Sequence, residues 1–249
     1  EMIVKHSRRL TVTTDRDYMS ITRRFPEYKN KVHRVFDGPN IFCNGNTVNR
    51  NDIRKQLNVD EEETLLLNFG FLKEDKGIEE IIYAVKKLFA GGRKIKVLFI
   101  AGAHHDKDSE NYRNKIEMLI KKLKLENYVI WLGYVEKGKV SEYIKSCDIG
   151  VMPFRDGLSG MRSSYWSLLS HGLPTVTTAS EFIPPGIENK KNTVLVLPGH
   201  DEGLAEAVSL LMDNGQLRKN IGEAGKKLVD EKYAWERITR EIEEIYGYN

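Results

Sequence analysis

Cysteine is almost missing: Cys43 and Cys147 are the only two in 249 residues, far apart and outside any Cys-x-x-Cys or Cys/His ligand spacing. This excludes a disulfide framework and a structural zinc site, and fits a reducing, cytoplasmic setting. Long apolar runs are missing too, so nothing in the sequence spans a bilayer, and no basic leader with an apolar core marks a secretion signal. Neither sign of charge dominates. Lys and Arg number 39 against 36 Asp and Glu, a net charge of +3 spread along the chain, which argues against a nucleic-acid partner. Local basic clusters at Lys5 to Arg9, Thr22 to Phe25 and Ile120 to Leu125 leave room for peripheral contact with an anionic inner membrane face. Internal repeats and low-complexity tracts are absent. The chain opens at Glu1 in mid-pattern, which reads as a piece of a longer protein.

What is present is a large core and a regular pattern. Hydrophobic residues make up 40% of the chain, enough for a substantial globular interior. From about residue 64, β-rich runs alternate with helical patterns, the signature of a parallel sheet with crossover helices. Strands are expected at Leu65 to Phe71, Lys96 to Gly102, Val129 to Tyr134, Asp148 to Phe154, Pro174 to Thr178 and Thr193 to Pro198. Helices are expected near Ile78 to Phe89, Glu110 to Leu125, Lys139 to Cys147 and Ser163 to His171. The fold class is therefore α/β, a Rossmann-like parallel sheet of about six strands with flanking helices and a helical carboxy-terminal tail. Gly215 is expected to close the first tail helix in the left-handed conformation. Residues 1–40 read as the tail of a preceding domain and 41–60 as a linker. Residues 61–234 then form the main domain, and 235–249 a closing helix.

In open parallel sheets ligands bind at the carboxyl ends of the strands, so the loops there carry the functional reading. In "NFGFLKEDKG", Gly70 permits close backbone approach and Lys76 places an ammonium where a phosphate meets a helix start. An ordinary loop with solvated Lys73 and Lys76 has the same composition. In "AGAHHDKDSEN", His104, His105 and Asp106 are adjacent and so poorly spaced for one metal ion, while Ser109 suits a helix cap. In "LGYVEKGK", Gly133 and Tyr134 end a strand whose free backbone groups could pair with the edge of a planar base, or simply form a turn. In "DGLSGMRSSYWSLLSHGLPTVTT", Asp156 and Gly157 turn the chain and Ser159 suits an N-cap. The N–H groups of Gly160, Met161, Arg162 and Ser163 would then face an anion, with the Arg162 fork adding a bidentate contact. A diphosphate-shaped ligand fits this loop best. No Gly-x-Gly-x-x-Gly follows Phe71, which sets aside a dehydrogenase.

These loops, in this order, resemble the carboxy-terminal domain of glycosyltransferase family 4 enzymes of the GT-B fold, over about Val32 to the C-terminus. "FGFLKEDKGIEEIIYAVKKL", "VIWLGYVEKGKVSEYIKSCDIGVMPF", "SHGLPTVTT" and "VLVLPGHDEGLAEAVSLLMDN" carry the likeness. It implies the nucleotide-sugar-binding half of a retaining hexosyltransferase using a UDP- or GDP-sugar, with Lys76 on the diphosphate and Gly133 and Tyr134 at the base. No metal or other cofactor is then required. Two features depart from the family: Phe71 stands where an Arg is common, and Ser159 and Ser167 stand at the paired glutamates. Asp156 and Arg162 are the expected substitutes, and Ser167 can still bond a ribose hydroxyl. The resemblance also implies an amino-terminal acceptor domain, missing here or supplied by another polypeptide, so this chain alone is expected to bind donor without turnover. The closing helix from Trp235 should brace that domain and show an apolar face. A catalytically degenerate regulatory subunit is the alternative the two serines suggest.

Overall fold

The computed structural model describes residues 2–43, 49–102 and 107–247. The amino-terminal part holds helix α1 (Met2–His6), strand β1 (Leu10–Val12), helix α2 (Asp15–Arg24) and strand β2 (Val32–Arg34), with β1 and β2 paired in parallel. Thr14 starts α2 by accepting from the Asp17 N–H and donating to the Asp17 carboxylate, which closes the first turn.

Helix α3 (Arg50–Gln56) follows, then strand β3 (Thr64–Phe71), helix α4 (Ile78–Ala90), strand β4 (Ile95–Gly102), helix α5 (Lys107–Leu123) and strand β5 (Val129–Trp131). After helix α6 (Lys137–Ser146) come strand β6 (Ile149–Met152), helix α7 (Ser163–Ser170), and strands β7 (Thr175–Thr178) and β8 (Val194–Val196). The tail is helix α8 (Asp201–Asp213), helix α9 (Gly215–Leu228), a π-turn over Val229–Tyr233 and helix α10 (Trp235–Tyr246). The six strands β3 to β8 form one parallel sheet in the order β5-β4-β3-β6-β7-β8, the doubly wound arrangement expected from the sequence.

Both faces of this sheet are buried, and side-chain alternation sorts the core into two layers. Leu66, Val97, Phe99, Ile149 and Val151 pack with α4, α5 and α8 residues such as Ile82, Ile116 and Val208. Leu65, Leu67, Leu98, Ile100 and Met152 pack with Ile53, Val140, Ile144 and Leu168 on the other face. The segment expected as a linker thus contributes α3 to the core, because Ile53 and Leu57, one turn apart, both point inward. Arg54, 3% exposed, fixes α3 there by ion pairing with Asp148 at 3.0 Å and donating to the Asp60 carbonyl at 2.8 Å.

Two helix boundaries differ from expectation. Gly215 opens α9 rather than closing α8, since Asn214 ends α8 and its side chain accepts from the Leu217 N–H to cap α9. Ser109 lies inside α5, which already begins at Lys107. Among the described residues, no helix is long and apolar enough to cross a membrane.

α10 lies back along the amino-terminal elements. Trp235 Nε1 donates to the Pro39 carbonyl at 2.7 Å, and Arg9 Nε to the Ile245 carbonyl at 3.3 Å. Its apolar stripe runs through Ile238, which is buried, to Ile242 and Tyr246, which stay partly exposed.

Candidate functional site

The strand order reverses between β3 and β6, and their pairing covers only Leu66 with Ile149 and Leu67 with Gly150. Beyond it Asn68 Nδ2 donates to the Val151 carbonyl at 2.8 Å. A crevice at such a switch point is where doubly wound sheets take ligands, and here the loops after β3 and β6 touch. Gly77 has a φ of 65°, and a Cβ there would lie 2.0 Å from the Pro153 carbonyl oxygen. Arg155 N also donates to the Asp75 carbonyl at 2.9 Å. This contact brings Lys76 and Arg162, distant in sequence, to one place.

Both cations stand over the Phe154 ring, Lys76 Nζ at 5.2 Å and Arg162 Cζ at 4.4 Å from its centroid. Arg162 is 10% exposed at its side chain and pairs with Asp75 at 2.9 Å and with Asp156. Asp75 also lies 3.4 Å from Lys76 Nζ. Among the described residues, Arg162 Nε is buried without a hydrogen-bond partner. Burial, and then the neighbouring Arg162 charge, hold the Lys76 pKa below the ordinary lysine value, with Asp75 opposing. Two cations this close in a partly dry setting favour an anion beside them. Asp75 supplies one, and its own pKa is lowered because Arg162 and Lys76 outweigh the burial that would raise it.

A cleft of about 440 Å³ opens beside this pair, lined by Gly70, Phe71, Lys76, Tyr134, Met161 and Arg162, with Ser163 and Ser164 at the start of α7. Its inner wall is apolar, from Phe69, Ile100, Val135 and Val140. Gly70 has a φ of 145°, a conformation that favours glycine. Tyr134 is 80% exposed at the rim. Gly133 precedes it at a φ of 64°, with open space where a Cβ would stand.

The remaining expected site residues have other tasks. Ser159 does not cap α7. Arg162 occupies the N-cap position without a side-chain cap, and the Ser159 carbonyl instead accepts from the Arg162 N–H at 3.3 Å. The Ser163 N–H is likewise used, by the Met161 carbonyl at 3.1 Å. Gly157, at a φ of 80°, packs where a Cβ would lie 2.5 Å from Ser180 Cβ. Gly160 packs on Phe36, whose Cδ1 would be 1.9 Å from a Cβ. Ser167, expected to face a ribose, is fully buried. Its Oγ accepts from the Asn40 and Ile41 N–H groups, both at 3.0 Å, which closes it off from the cleft. The residues His104, His105 and Asp106 lie outside the described residues.

Sequence reasoning missed three contributors. Asp75 is the internal counter-ion, and its position beside Lys76 was the available signal. Phe154 is the ring under both cations. Asp37, from the segment before the main domain, accepts from Ser163 Oγ at 3.4 Å, and its pKa is raised by burial, with that hydrogen bond opposing.

Residues 49–228 match the model of the family described as Glycosyl transferases group 1. An uncharacterized glycosyltransferase of Methanocaldococcus jannaschii is 28% identical over 89% of this chain and 54% of its own length. The N-acetyl-alpha-D-glucosaminyl L-malate synthase of Bacillus anthracis is 22% identical over 78% of this chain and 48% of its own length. The chain thus spans about half the length of these curated relatives. Among solved structures, Anabaena HepE with UDP and glucose superposes with a TM-score of 0.84 at 16% identity, over all of this chain and 65% of that one. Sucrose-phosphate synthase of Thermosynechococcus elongatus gives 0.82 at 19% identity, over 99% of this chain and 59% of that one.

Proposed function

The chain belongs to the group 1 glycosyltransferases of GT-B fold, and from that membership we propose that its cleft holds a nucleoside-diphosphate sugar for a transfer that retains anomeric configuration. The observation that carries this is the pairing of Lys76 and Arg162 over Phe154 beside the first turn of α7. In such a transfer the bond from the sugar C1 to the phosphate oxygen breaks, the acceptor oxygen bonds to C1 and loses its proton, and the diphosphate leaves with added negative charge. Cations already in place where that charge develops lower the barrier. Lys76 and Arg162 take the diphosphate, and charge neutralisation is assigned to them rather than to a metal. The apolar wall with Gly133 and Tyr134 takes the base. Arg162 stands in for the cation absent at Phe71, and Asp156 orients it. Complexes of HepE with UDP-glucose support the donor class.

A second reading has its own support. Neither Ser159 nor Ser167 is an acid, and Ser167 is sealed, which favours a subunit that binds donor without transferring it. Calorimetric titration with UDP- and GDP-sugars tests the binding that both share. No heat at millimolar concentration with either sugar nucleotide would sink the donor site. Release of free UDP or GDP on adding candidate acceptors separates transferase from subunit.

A further inference from the structure

A groove of about 580 Å³ is lined by Arg16, Met19, Ser20, Arg23 and Arg24 of α2 and by Glu181 and Phe182. Its second wall follows directly from Ala179 and Ser180, the residues on which Gly157 packs. The groove therefore belongs to the carboxyl-end face of the sheet, the face that carries the cleft.

Arg16, Arg23 and Arg24 stand at i, i+7 and i+8, one stripe of an α-helix. A basic stripe on a helix is usually a solvated face, balanced by acids one turn away. These three guanidiniums have no ion-pair partner among the described residues, and Arg24 is seated over the Phe25 ring at 5.6 Å. Asp15, the acid beside them on α2, is taken by Arg34. Asp17 is taken by the Thr14 cap. Glu181 is the one acid in the groove and can neutralise one guanidinium, which leaves two positive charges facing a concave wall. Guanidinium forks that line one groove suit the tetrahedral oxyanion of a phosphate, which accepts from several N–H groups at once.

We propose that this groove is a second anion site, and that it takes a phosphate group carried by the sugar acceptor. Assigning that phosphate to the acceptor rests on the donor-binding reading; the anion site itself does not. The placement suits it: the Asp156–Arg162 loop lines the donor cleft through Met161 and Arg162 and packs at Gly157 on Ala179 and Ser180, which lead into the groove wall, so one loop links the cleft to that wall.

The test is titration of the chain with inorganic pyrophosphate in saturating UDP, so that the cleft is filled and only the groove reports. One pyrophosphate is expected to bind per chain, and Arg16→Ala with Arg23→Ala is expected to weaken it about tenfold or more. UDP binding should stay within about twofold of the parent, since neither arginine lines the cleft. Lys121→Ala with Lys122→Ala removes equal charge from exposed positions on α5 and should change nothing. No pyrophosphate binding with UDP present, or equal weakening by the lysine pair, overturns the site. If UDP itself fails to bind, the donor reading falls, and the same two variants still decide the groove. Pelleting with phosphatidylcholine vesicles containing phosphatidic acid, lost in the arginine variant, places the phosphate on a lipid. Binding of a soluble sugar phosphate without pelleting places it on a soluble acceptor, and either result supports the groove.

Discussion

Replacing Arg162 by alanine separates what this side chain does for the fold from what it does for a ligand. In the free protein it contributes a ring contact with Phe154 at 4.4 Å, worth about 0.5–1 kcal/mol. It also has two ion pairs to carboxylates that are 40% and 47% exposed, each worth roughly 0.2–1 kcal/mol after solvent screening. Stability should therefore fall by about 1–3 kcal/mol, which leaves the chain folded. A diphosphate gains charge-assisted hydrogen bonds from the same fork, about 1.5–3 kcal/mol each. Part of that is offset because Asp75 must release the guanidinium. The net loss for UDP is about 2 kcal/mol, or roughly 30-fold in Kd, read by calorimetry beside a thermal melt of the same sample. Arg162→Lys keeps the charge without the fork and should fall between parent and alanine. If Arg162→Ala binds UDP within about threefold of the parent while remaining folded, the cation pair is not a phosphate cradle.

Two further outcomes follow from the same loops. Gly77→Ala puts a methyl 2.0 Å from the Pro153 carbonyl at a φ of 65°; the left-handed conformation alone costs about 1–2 kcal/mol. Chemical denaturation should therefore show a loss above about 2 kcal/mol together with weakened UDP binding, and an unchanged midpoint would refute the contact. UDP affinity should also be full at neutral pH and fall as pH rises through the lowered Lys76 pKa, below the ordinary lysine value of 10.5. In Arg162→Ala that break should move upward, because one of the two causes of the lowering is gone; calorimetry across alkaline pH decides it.

The sheet was legible because its strands, buried on both faces, read as continuous apolar runs at regular spacing, and all six strands lie where that pattern put them. Helix α3 was not, although Ile53 and Leu57 one turn apart behind Asn49 were a usable signal, because a short polar-rich stretch reads as a connection. Gly215 misled because Asn214 before it is an equally good punctuator, and its side chain captured the next helix start. In the candidate site, the types and order of Lys76 and Arg162 could be read, but their meeting depends on the switch point between β3 and β6. The sealing of Ser167 by Asn40 and Ile41 depends on a contact more than a hundred residues away, which no local pattern carries.

Residues 36–41 are fastened along their whole length. Phe36 lies on Gly160, Asp37 N donates to the Gly160 carbonyl at 3.2 Å, Pro39 accepts from Trp235, and Asn40 and Ile41 donate to Ser167. A strip held at this many points cannot act as a slack tether between α1–β2 and the main sheet; it is part of the packed body of the chain. One of its anchor points, Gly160, lies two residues from Arg162. A substitution that loosens the strip at Phe36 or Asp37 is therefore expected to reach the Arg162 loop directly rather than through a remote hinge.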